Sequence, residues 1–247
     1  MNVLSFSGGK DSMGTGIWMV KHHIPIDVLL FSDTRKEFPK MYVYLNTVVS
    51  EFFNRPIEII GADMEFEDIF YQKRIKGKHI GEIHGWPMTR GCWWNDYGKI
   101  QPINKYKRKL AHTTEVHEYI GISAEEYDRY ADLIKPFSNR HAPLYENGIT
   151  GEMAKQEQNE MGLLNPLYDD FYRLGCYLCP QQRINELQKV RKHYPKYWAH
   201  MLELDNDSPV RFKPDGTTVH DLDRRFAWES GEEIEINGKK LQQVSML

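Results

Sequence analysis

The stretch that decides the fold is residues 3–12, which read VLSFSGGKDS. A short, largely apolar run, Val3–Phe6, ends at a glycine-rich turn, and Met13–His22 then carries apolar residues at near-helical spacing. An apolar run of this length bounded by turn residues is typical of a buried strand. The sequence therefore opens with a predicted strand, a tight turn and a helix.

The same alternation of strand and helix continues along the chain. The apolar run Val28–Phe31 predicts a second strand, Ile57–Ile60 and Glu118–Ile122 are expected to form a third and a fourth, and Lys40–Phe53 predicts a helix between two of them. Strands joined through crossover helices form parallel sheets. We therefore expect an α/β fold with an open, mainly parallel sheet and helices on both of its faces.

The remaining patterns are less uniform. Between Trp86 and Tyr106 glycine, proline and aromatic residues interrupt any period, and long irregular segments of this kind are often functional. Helices are expected over 151–161, after an N-cap at Thr150, and over 184–193 and 197–204. Residues 233–242 contain Asn237-Gly238 between two strand-like runs, which predicts a hairpin with a type I′ turn.

The bulk composition is that of an ordinary globular protein, with 40% hydrophobic and 27% charged residues and a formal net charge of −3. A nucleic-acid partner could therefore rest only on the local basic segment Lys99–Lys109, for which a solvated helix face is the simpler alternative. No stretch approaches the roughly 18 apolar residues of a membrane span. The N-terminus lacks the pattern of a signal peptide, so we expect a cytoplasmic protein without a membrane partner.

The turn Ser7–Ser12 has the composition of a phosphate-binding loop. Backbone N–H groups in a glycine-rich turn can approach an anion closely, and the helix N-terminus adds partial positive charge. Serine hydroxyls and the ammonium of Lys10 are further donors to phosphate oxygens. The spacing is not that of a Walker A motif. The alternative is a glycine-rich turn capped by Asp11 or Ser12.

The arrangement of strand, SGGKDS and helix resembles the PP-loop of the N-type ATP pyrophosphatases. Residues 30–39, 119–129 and 166–180 resemble segments of the phosphoadenosine-phosphosulfate (PAPS) reductase-like members, although Arg35 stands where those proteins usually have glycine. The resemblance runs with gaps from Val3 to Leu204. It implies a Rossmann-like, adenine nucleotide alpha hydrolase-like domain over 1–205, followed by a C-terminal extension over 206–247.

The resemblance also implies the site residues and their ligands, ATP and Mg²⁺. Its nucleotide-binding set is Ser5, Ser7, Gly8, Gly9, Lys10, Asp11, Ser12, Asp33, Thr34, Gly121 and Ile122. Its catalytic set is Lys10, Asp11, Asp33 and Arg129. Asp33 is expected near the nucleotide or Mg²⁺. For Arg129 a surface ion pair is an equally good interpretation.

Three cysteines, Cys92, Cys176 and Cys179, form the predicted metal site. The Cys176-x-x-Cys179 spacing favours metal binding in a reducing compartment. In the adenylyl-sulfate reductases that this sequence resembles, such a pair joins an upstream Cys-Cys pair around a 4Fe–4S cluster, but here Trp93 occupies one cysteine position. Three thiolates could hold a cluster with one open iron, or Zn²⁺ together with a histidine. Buried thiols without metal are the alternative.

Three functions follow from these patterns. The first is a PP-loop ATP pyrophosphatase or adenylyltransferase that transfers AMP to an acceptor, in sulfur-related chemistry or in nucleotide or nucleic-acid modification. The second is a reductase of PAPS or adenylyl sulfate with an external thiol, which is disfavoured because no cysteine follows Cys179 in this sequence. The third is a non-catalytic adenine-nucleotide-binding module. Residues 219–247 could form a homodimer contact or a lid.

Overall fold

The computed structural model describes residues 1–77, 79–87, 91–236 and 239–241, without the side chains of the last six strand residues. The chain forms two compact units. The first contains Met1–Asp63 and Asp96–Cys176, and the second contains Met64–Asn95 and the described residues from Tyr177 onward. The domain boundary placed at residue 205 stays a prediction.

The first unit is built on a sheet of five parallel strands in the order β3-β2-β1-β4-β5. Its strands are β1 (Asn2–Phe6), β2 (Val28–Asp33), β3 (Ile57–Gly61), β4 (His117–Ile120) and β5 (Arg140–His141). In the register of the central strands, Val3 lies opposite both Val28 and Glu118. The prediction of an open parallel α/β sheet is confirmed, and the strand order makes the fold Rossmann-like.

The helices are numbered in chain order across both units. Their bounds are α1 (Lys10–Lys21), α2 (Pro39–Tyr44), α3 (Ser50–Phe53), α4 (Phe66–Phe70), α5 (Trp93–Asn95), α6 (Gln101–Ala111), α7 (Tyr127–Leu133), α8 (Pro143–Glu146), α9 (Gly151–Glu160), α10 (Ile184–His193), α11 (Pro195–Asp207) and α12 (Val219–Glu229). Leu45–Val49 and Asp96–Ile100 are π-helical, and Pro166–Asp169 is a 3₁₀ helix.

Helices cover both faces of the sheet because the side chains of each strand alternate between the faces. On one face, Val3 and Leu30 pack beneath apolar residues of α6, among them Tyr106. On the other face, Leu4 lies so close to α1 that a Cβ on Gly16 would be 2.9 Å from its Cδ2. The expectation of helices on both faces is therefore confirmed.

Most predicted elements occur. The expectation of an irregular segment from Trp86 to Tyr106 is wrong from Trp93 onward, because the described chain is helical from there to Ala111. Proline does not prevent this because the carbonyl oxygen of Gly98, four residues before Pro102, accepts the hydroxyl of Ser32 at 2.9 Å instead of a helical N–H. The helix over 40–53 is confirmed as a run from Pro39 to Phe53 that contains one π-helical stretch. The N-cap at Thr150 is confirmed by its side chain, which accepts the N–H of Met153 at 3.2 Å.

The second unit is mostly helical within its described residues. The helix predicted over 184–193 has those bounds, and the next one is longer than expected. Strands β6 (Ile234–Ile236) and β7 (Lys239–Leu241) pair antiparallel, which confirms the hairpin, while its turn residues lie outside the described residues. In the described ranges of the chain, no helix has the length and apolar content needed to cross a bilayer.

Candidate functional site

The candidate site lies where the order of the sheet reverses. From β1 the chain builds outward through β2 and β3 on one side and then continues through β4 and β5 on the other. In open parallel sheets, ligands bind beyond the carboxyl ends of the strands at such a switch point. The loops that follow β1 and β4, which begin at Ser7 and Gly121, both leave the sheet at this point. The structure thus brings together two of the segments that sequence analysis singled out.

The loop Ser7–Ser12 is held closed by its own serines. The Ser12 hydroxyl donates to the carbonyl oxygen of Gly9 at 2.9 Å and accepts the N–H of Ser7 at 3.1 Å. The Ser7 and Ser12 hydroxyl oxygens are 3.1 Å apart. Gly8 has a φ of +76°, a left-handed conformation that suits glycine. The serines predicted to contact phosphate therefore also shape the loop.

The first turn of α1 begins within this loop, at Lys10. Its N-cap residue is Gly9, which supplies no side-chain cap. The first N–H groups of a helix have no partner within the helix and carry partial positive charge. The N–H of Lys10 donates to the hydroxyl oxygen of Tyr168 at 2.7 Å. The amides of Asp11 and Ser12 follow it in the same turn, and this arrangement favours an anionic ligand.

Two buried amide side chains from a later part of the chain fix the carbonyls of the loop. Asn165 Nδ2 donates to the carbonyl oxygen of Gly8 at 3.0 Å, and Gln158 Nε2 donates to that of Lys10 at 2.7 Å. Each of the two side chains belongs to a residue only 1% exposed. Sequence analysis missed both, and the only available signal was the position of Asn165 directly before the Pro166-Leu-Tyr168 segment.

Charged groups meet beside the loop at Lys10. Its Nζ donates to Asp11 Oδ1 at 2.8 Å. Burial raises the pKa of Asp11 above its ordinary value, the ammonium of Lys10 offsets part of that rise, and the charges of Glu126 and Glu125 add to it. The Asp11 carboxylate therefore lies in the field of one cation, Lys10, and of two further carboxylates, Glu126 and Glu125.

Glu125 is fixed at the N-terminus of α9, where both carboxylate oxygens accept the N–H of Gly151, at 3.0 and 3.2 Å. Burial alone would raise the pKa of Glu125. Hydrogen bonds from its own backbone, from Gly151 and from Ser123, together with the charge of Lys10, hold that pKa below its ordinary value. Glu125 is therefore an ionised partner for the lysine, a role that sequence analysis did not assign.

The segment after β2 uses most of its polar atoms internally. Asp33 Oδ1 accepts the hydroxyl of Tyr42 at 2.8 Å and the N–H of Arg35 at 2.7 Å. Arg35 has a φ of +55°, which is why glycine would suit this position. The buried Thr34 donates its hydroxyl to Glu37 Oε1 at 2.8 Å. Asp33 is half-buried, whereas Thr34 is buried, and a nucleotide contact by either remains a prediction.

Three other predicted residues have partners of their own. The Ser5 hydroxyl donates to Glu118 Oε1 at 2.8 Å within the sheet. Ile122 is fully buried in an apolar cluster. Arg129 forms an ion pair with Glu126 three residues earlier on the chain, as its alternative interpretation expected. Nucleotide or catalytic roles for these residues stay predictions.

Three lysines of the basic segment Lys99–Lys109 lie close to carboxylates of the first unit. Lys107 Nζ lies 2.5 Å from Glu118, and Lys105 Nζ lies 2.9 Å from Asp63. Lys99 Nζ lies 3.6 Å from Glu37 Oε1. These pairs reduce the charge that the segment could offer to nucleic acid, and a nucleic-acid partner stays a prediction.

The predicted metal site is divided by the boundary between the units, because Cys176 ends the first unit while Cys92 and Cys179 belong to the second. All three cysteines are half-buried. Among the residues that the structure describes, no group of three or more His, Cys, Asp or Glu side chains is placed to hold a metal ion. Iron or zinc at these cysteines stays a prediction, and no catalytic step is derived from it.

Comparison with known proteins agrees with the geometry. The family model of the phosphoadenosine phosphosulfate reductase domain matches residues 1–133, more than half of the 247 residues. Two uncharacterized proteins of Methanocaldococcus jannaschii are each 26% identical to the chain, one over 204 residues and one over 222. These alignments cover 79% and 84% of this chain but 39% and 49% of the relatives. The chain thus matches less than half the length of either relative.

Proposed function

Because the chain belongs to the phosphoadenosine phosphosulfate reductase domain family, within the PP-loop superfamily, we propose that it binds ATP and transfers its AMP moiety to an acceptor. The observation that carries the proposal is the position of the loop Ser7–Ser12. It joins β1 to the N-terminus of α1 at the switch point of the sheet, next to the backbone of Gly121. Close backbone approach and a helix N-terminus are what a phosphate chain requires.

The proposed reaction is a displacement at the α-phosphorus of ATP. A hydroxyl or carbonyl oxygen of the acceptor attacks, an oxygen–phosphorus bond forms, and the bond from the α-phosphorus to the bridging α–β oxygen breaks. Pyrophosphate leaves with that electron pair. A hydroxyl acceptor loses its O–H proton to water, and a carbonyl acceptor of the amide type loses its N–H proton to water. Catalysis then consists of positioning and of stabilising the charge that develops on the leaving pyrophosphate.

Residues of this chain suit those roles. The amides of Asp11 and Ser12 would donate to phosphate oxygens, and the ammonium of Lys10 would move from Asp11 toward the leaving pyrophosphate. Asp11 and Asp33 supply the carboxylate oxygens that Mg²⁺ prefers, and Mg²⁺ usually completes its coordination with substrate phosphates and water. When bound, Mg²⁺ would neutralise part of the phosphate charge.

Exchange of labelled pyrophosphate into ATP, measured with the full chain, tests the proposal together with equilibrium binding of ATP. We expect the chain to bind ATP only when Mg²⁺ is present. We expect exchange of pyrophosphate into ATP when a suitable acceptor is added. Asp11→Asn should abolish the exchange, and Asp63→Asn, a change at an exposed carboxylate, should leave it intact. Absence of ATP binding at millimolar concentration would refute the proposal.

A reductase of PAPS or adenylyl sulfate is the second candidate, and the description of the matched family favours it. Release of sulfite from either sulfonucleotide in the presence of a dithiol would support it. If neither nucleotide yields sulfite while ATP exchanges pyrophosphate, the adenylyltransferase proposal is preferred. Tight binding of ATP without any product over long incubation would instead indicate a binding module.

A further inference from the structure

The hydroxyl of Tyr168 lies at the loop Ser7–Ser12. Its oxygen accepts the N–H of Lys10 at 2.7 Å, and a Cβ on Gly9 would lie 3.4 Å from it. Lys10 is the first residue of α1, and Gly9 provides no cap. The hydroxyl therefore accepts one of the first N–H groups of α1, which have no partner within the helix and are also the groups that bind anions.

The turn that carries Tyr168 is fixed to the loop by Asn165. Asn165 Oδ1 accepts the N–H of Leu167 at 3.0 Å, at the start of the 3₁₀ helix Pro166–Asp169. Its Nδ2 donates to the carbonyl oxygen of Gly8 at 3.0 Å. One buried side chain thus holds both the tyrosine's turn and the glycine peptide, so the hydroxyl is positioned before any ligand binds. Preorganised donors of this kind are effective in stabilising anionic ligands.

A phenol hydroxyl has one proton to donate in addition to its accepting lone pairs. At Tyr168 a lone pair receives the Lys10 N–H. Burial raises the pKa of Tyr168 to about 12, with the Lys10 N–H opposing the rise and the charge of Asp11 adding to it. The hydroxyl therefore keeps its proton at neutral pH. A phosphate oxygen is a strong acceptor for that proton because hydrogen bonds to ionised groups are the stronger ones.

We propose that Tyr168 is an oligophosphate-binding residue that accepts the Lys10 N–H and donates its own proton to an oxygen of the bound phosphate chain. The inference rests on the proposed function, because the phosphate chain is that of the adenine nucleotide. Tyr168 lies beyond the 133 residues that the family model matches, so the contact comes from a part of the chain outside that match.

Binding measurements on the full chain with Tyr168→Phe test the inference. The probes are pyrophosphate with Mg²⁺, ATP with Mg²⁺, and adenosine, which has no phosphate. Tyr44→Phe is the matched control, because the Tyr44 hydroxyl is also part-buried and donates to the carbonyl oxygen of Leu163 at 2.8 Å. We expect Tyr168→Phe to weaken pyrophosphate and ATP binding about 10- to 100-fold, and adenosine binding to be the same in all three proteins.

The other outcomes separate the two proposals. If Tyr168→Phe binds pyrophosphate as tightly as wild type but has a lowered Tm, the hydroxyl only caps α1. That result would overturn the inference, and the proposed function would stand. Tighter binding would also overturn it, because the hydroxyl would then compete with phosphate. No binding of pyrophosphate or ATP by the wild-type chain would overturn both proposals.

If Tyr168→Phe does not fold, 3-fluorotyrosine placed at position 168 keeps the hydroxyl and reports on it. Addition of pyrophosphate with Mg²⁺ should then shift the fluorine resonance, and addition of adenosine should shift it less. An unchanged resonance at saturating pyrophosphate would overturn the inference.

Discussion

Gly121 and Ser12 are so close that a β-carbon on Gly121 would lie 2.5 Å from the backbone nitrogen of Ser12 and 2.6 Å from the carbonyl carbon of Asp11. Neither of those atoms belongs to a flexible side chain. The loop after β4 therefore meets the first turn of α1 backbone to backbone. Glycine is needed at position 121 for this approach.

Gly121→Ala is expected to separate the two loops and to weaken nucleotide binding. Overpacking of this kind costs about 1–3 kcal/mol, because the backbone must shift. Urea unfolding would measure the lost stability, and ATP titration the lost affinity. Gly175→Ala is the control, since a Cβ there has no heavy atom within 4 Å. Equal affinity for ATP in Gly121→Ala and wild type would contradict the expected role of this contact.

Arg35 offers a direct measurement of backbone strain. Its φ of +55° is unfavourable for a residue with a side chain. Arg35→Ala and Arg35→Gly both remove the guanidinium, including its 3.0 Å hydrogen bond to the carbonyl oxygen of Ala62. The glycine variant should therefore be more stable than the alanine variant by about 1 kcal/mol in urea unfolding. Equal stability of the two variants would show that the left-handed backbone is not strained.

Glu118 is the centre of a buried charged cluster. Its side chain is 5% exposed and binds Ser5, Lys107 and Arg140 across neighbouring elements. Removing one partner of a buried ion pair costs about 3–5 kcal/mol. Because both cations keep some contact with water, we expect Glu118→Gln to lose about 2 kcal/mol or more in urea unfolding.

The exposed pair of Lys105 and Asp63 provides the control for that experiment. Its side chains are 69% and 80% exposed, so Asp63→Asn should change stability by less than about 1 kcal/mol. If Glu118→Gln and Asp63→Asn cost the same, the buried cluster contributes no more than a surface ion pair.

Asp11 predicts a pH dependence whose sign follows from its environment. Burial raises its folded-state pKa above the unfolded value, so the folded protein binds the proton more readily. That contribution to stability is present in acid and is lost as the pH rises through the folded pKa. Asp11→Asn cannot ionise and should be at least as stable as wild type at neutral pH, with the difference shrinking toward acid pH.

Thermal melts of Asp11→Asn and wild type at several pH values would measure this difference, and pyrophosphate exchange at neutral pH would measure turnover. We expect a folded variant without turnover. Asp11→Asn that melts well below wild type at neutral pH would indicate that its ion pair with Lys10 outweighs the penalty of burial.

The cysteines predict bound metal. Protein purified in the absence of oxygen should contain iron or zinc, because three thiolates can hold either metal. Iron would give a visible absorption band, and zinc would give none. Serine in place of Cys92, Cys176 or Cys179 should lower the metal content measured by elemental analysis. If the wild-type chain contains metal only at background level, the prediction that these cysteines bind metal is wrong.

The parts of the fold with strong local patterns could be predicted from the sequence. Strands β1 and β2 are short apolar runs with turn residues beside them, and the helix after Thr150 is marked by that N-cap residue and by Gly162 beyond its end. Strand β5 has two residues, too few for any period. Helix α6 was missed although Ile103, Tyr106 and Leu110 have the i, i+3, i+7 spacing of a helix, because this half-buried stripe lies among basic residues and follows a proline.

At two positions of the candidate site the backbone explains a glycine that the resemblance singled out. Gly8 has a φ of +76°, and Gly121 lies too close to the backbone of α1 to accommodate a Cβ. Gln158 and Asn165 were missed because a buried amide that binds a distant carbonyl leaves no local pattern. Thr34 was expected to bind the nucleotide; its hydroxyl donates to Glu37 three residues later in the chain, and a nucleotide contact stays a prediction.

The discontinuous make-up of the two compact units limits how this protein can be dissected. The polypeptide passes from one unit to the other after Asp63, after Asn95 and after Cys176, so a single cut cannot release either unit whole. A fragment ended at residue 133, where the family match stops, would lose β5 and the side chains of Gln158 and Asn165 that hold Lys10 and Gly8 in place. Such a fragment would retain every residue of the glycine-rich loop and lack the scaffold that shapes it.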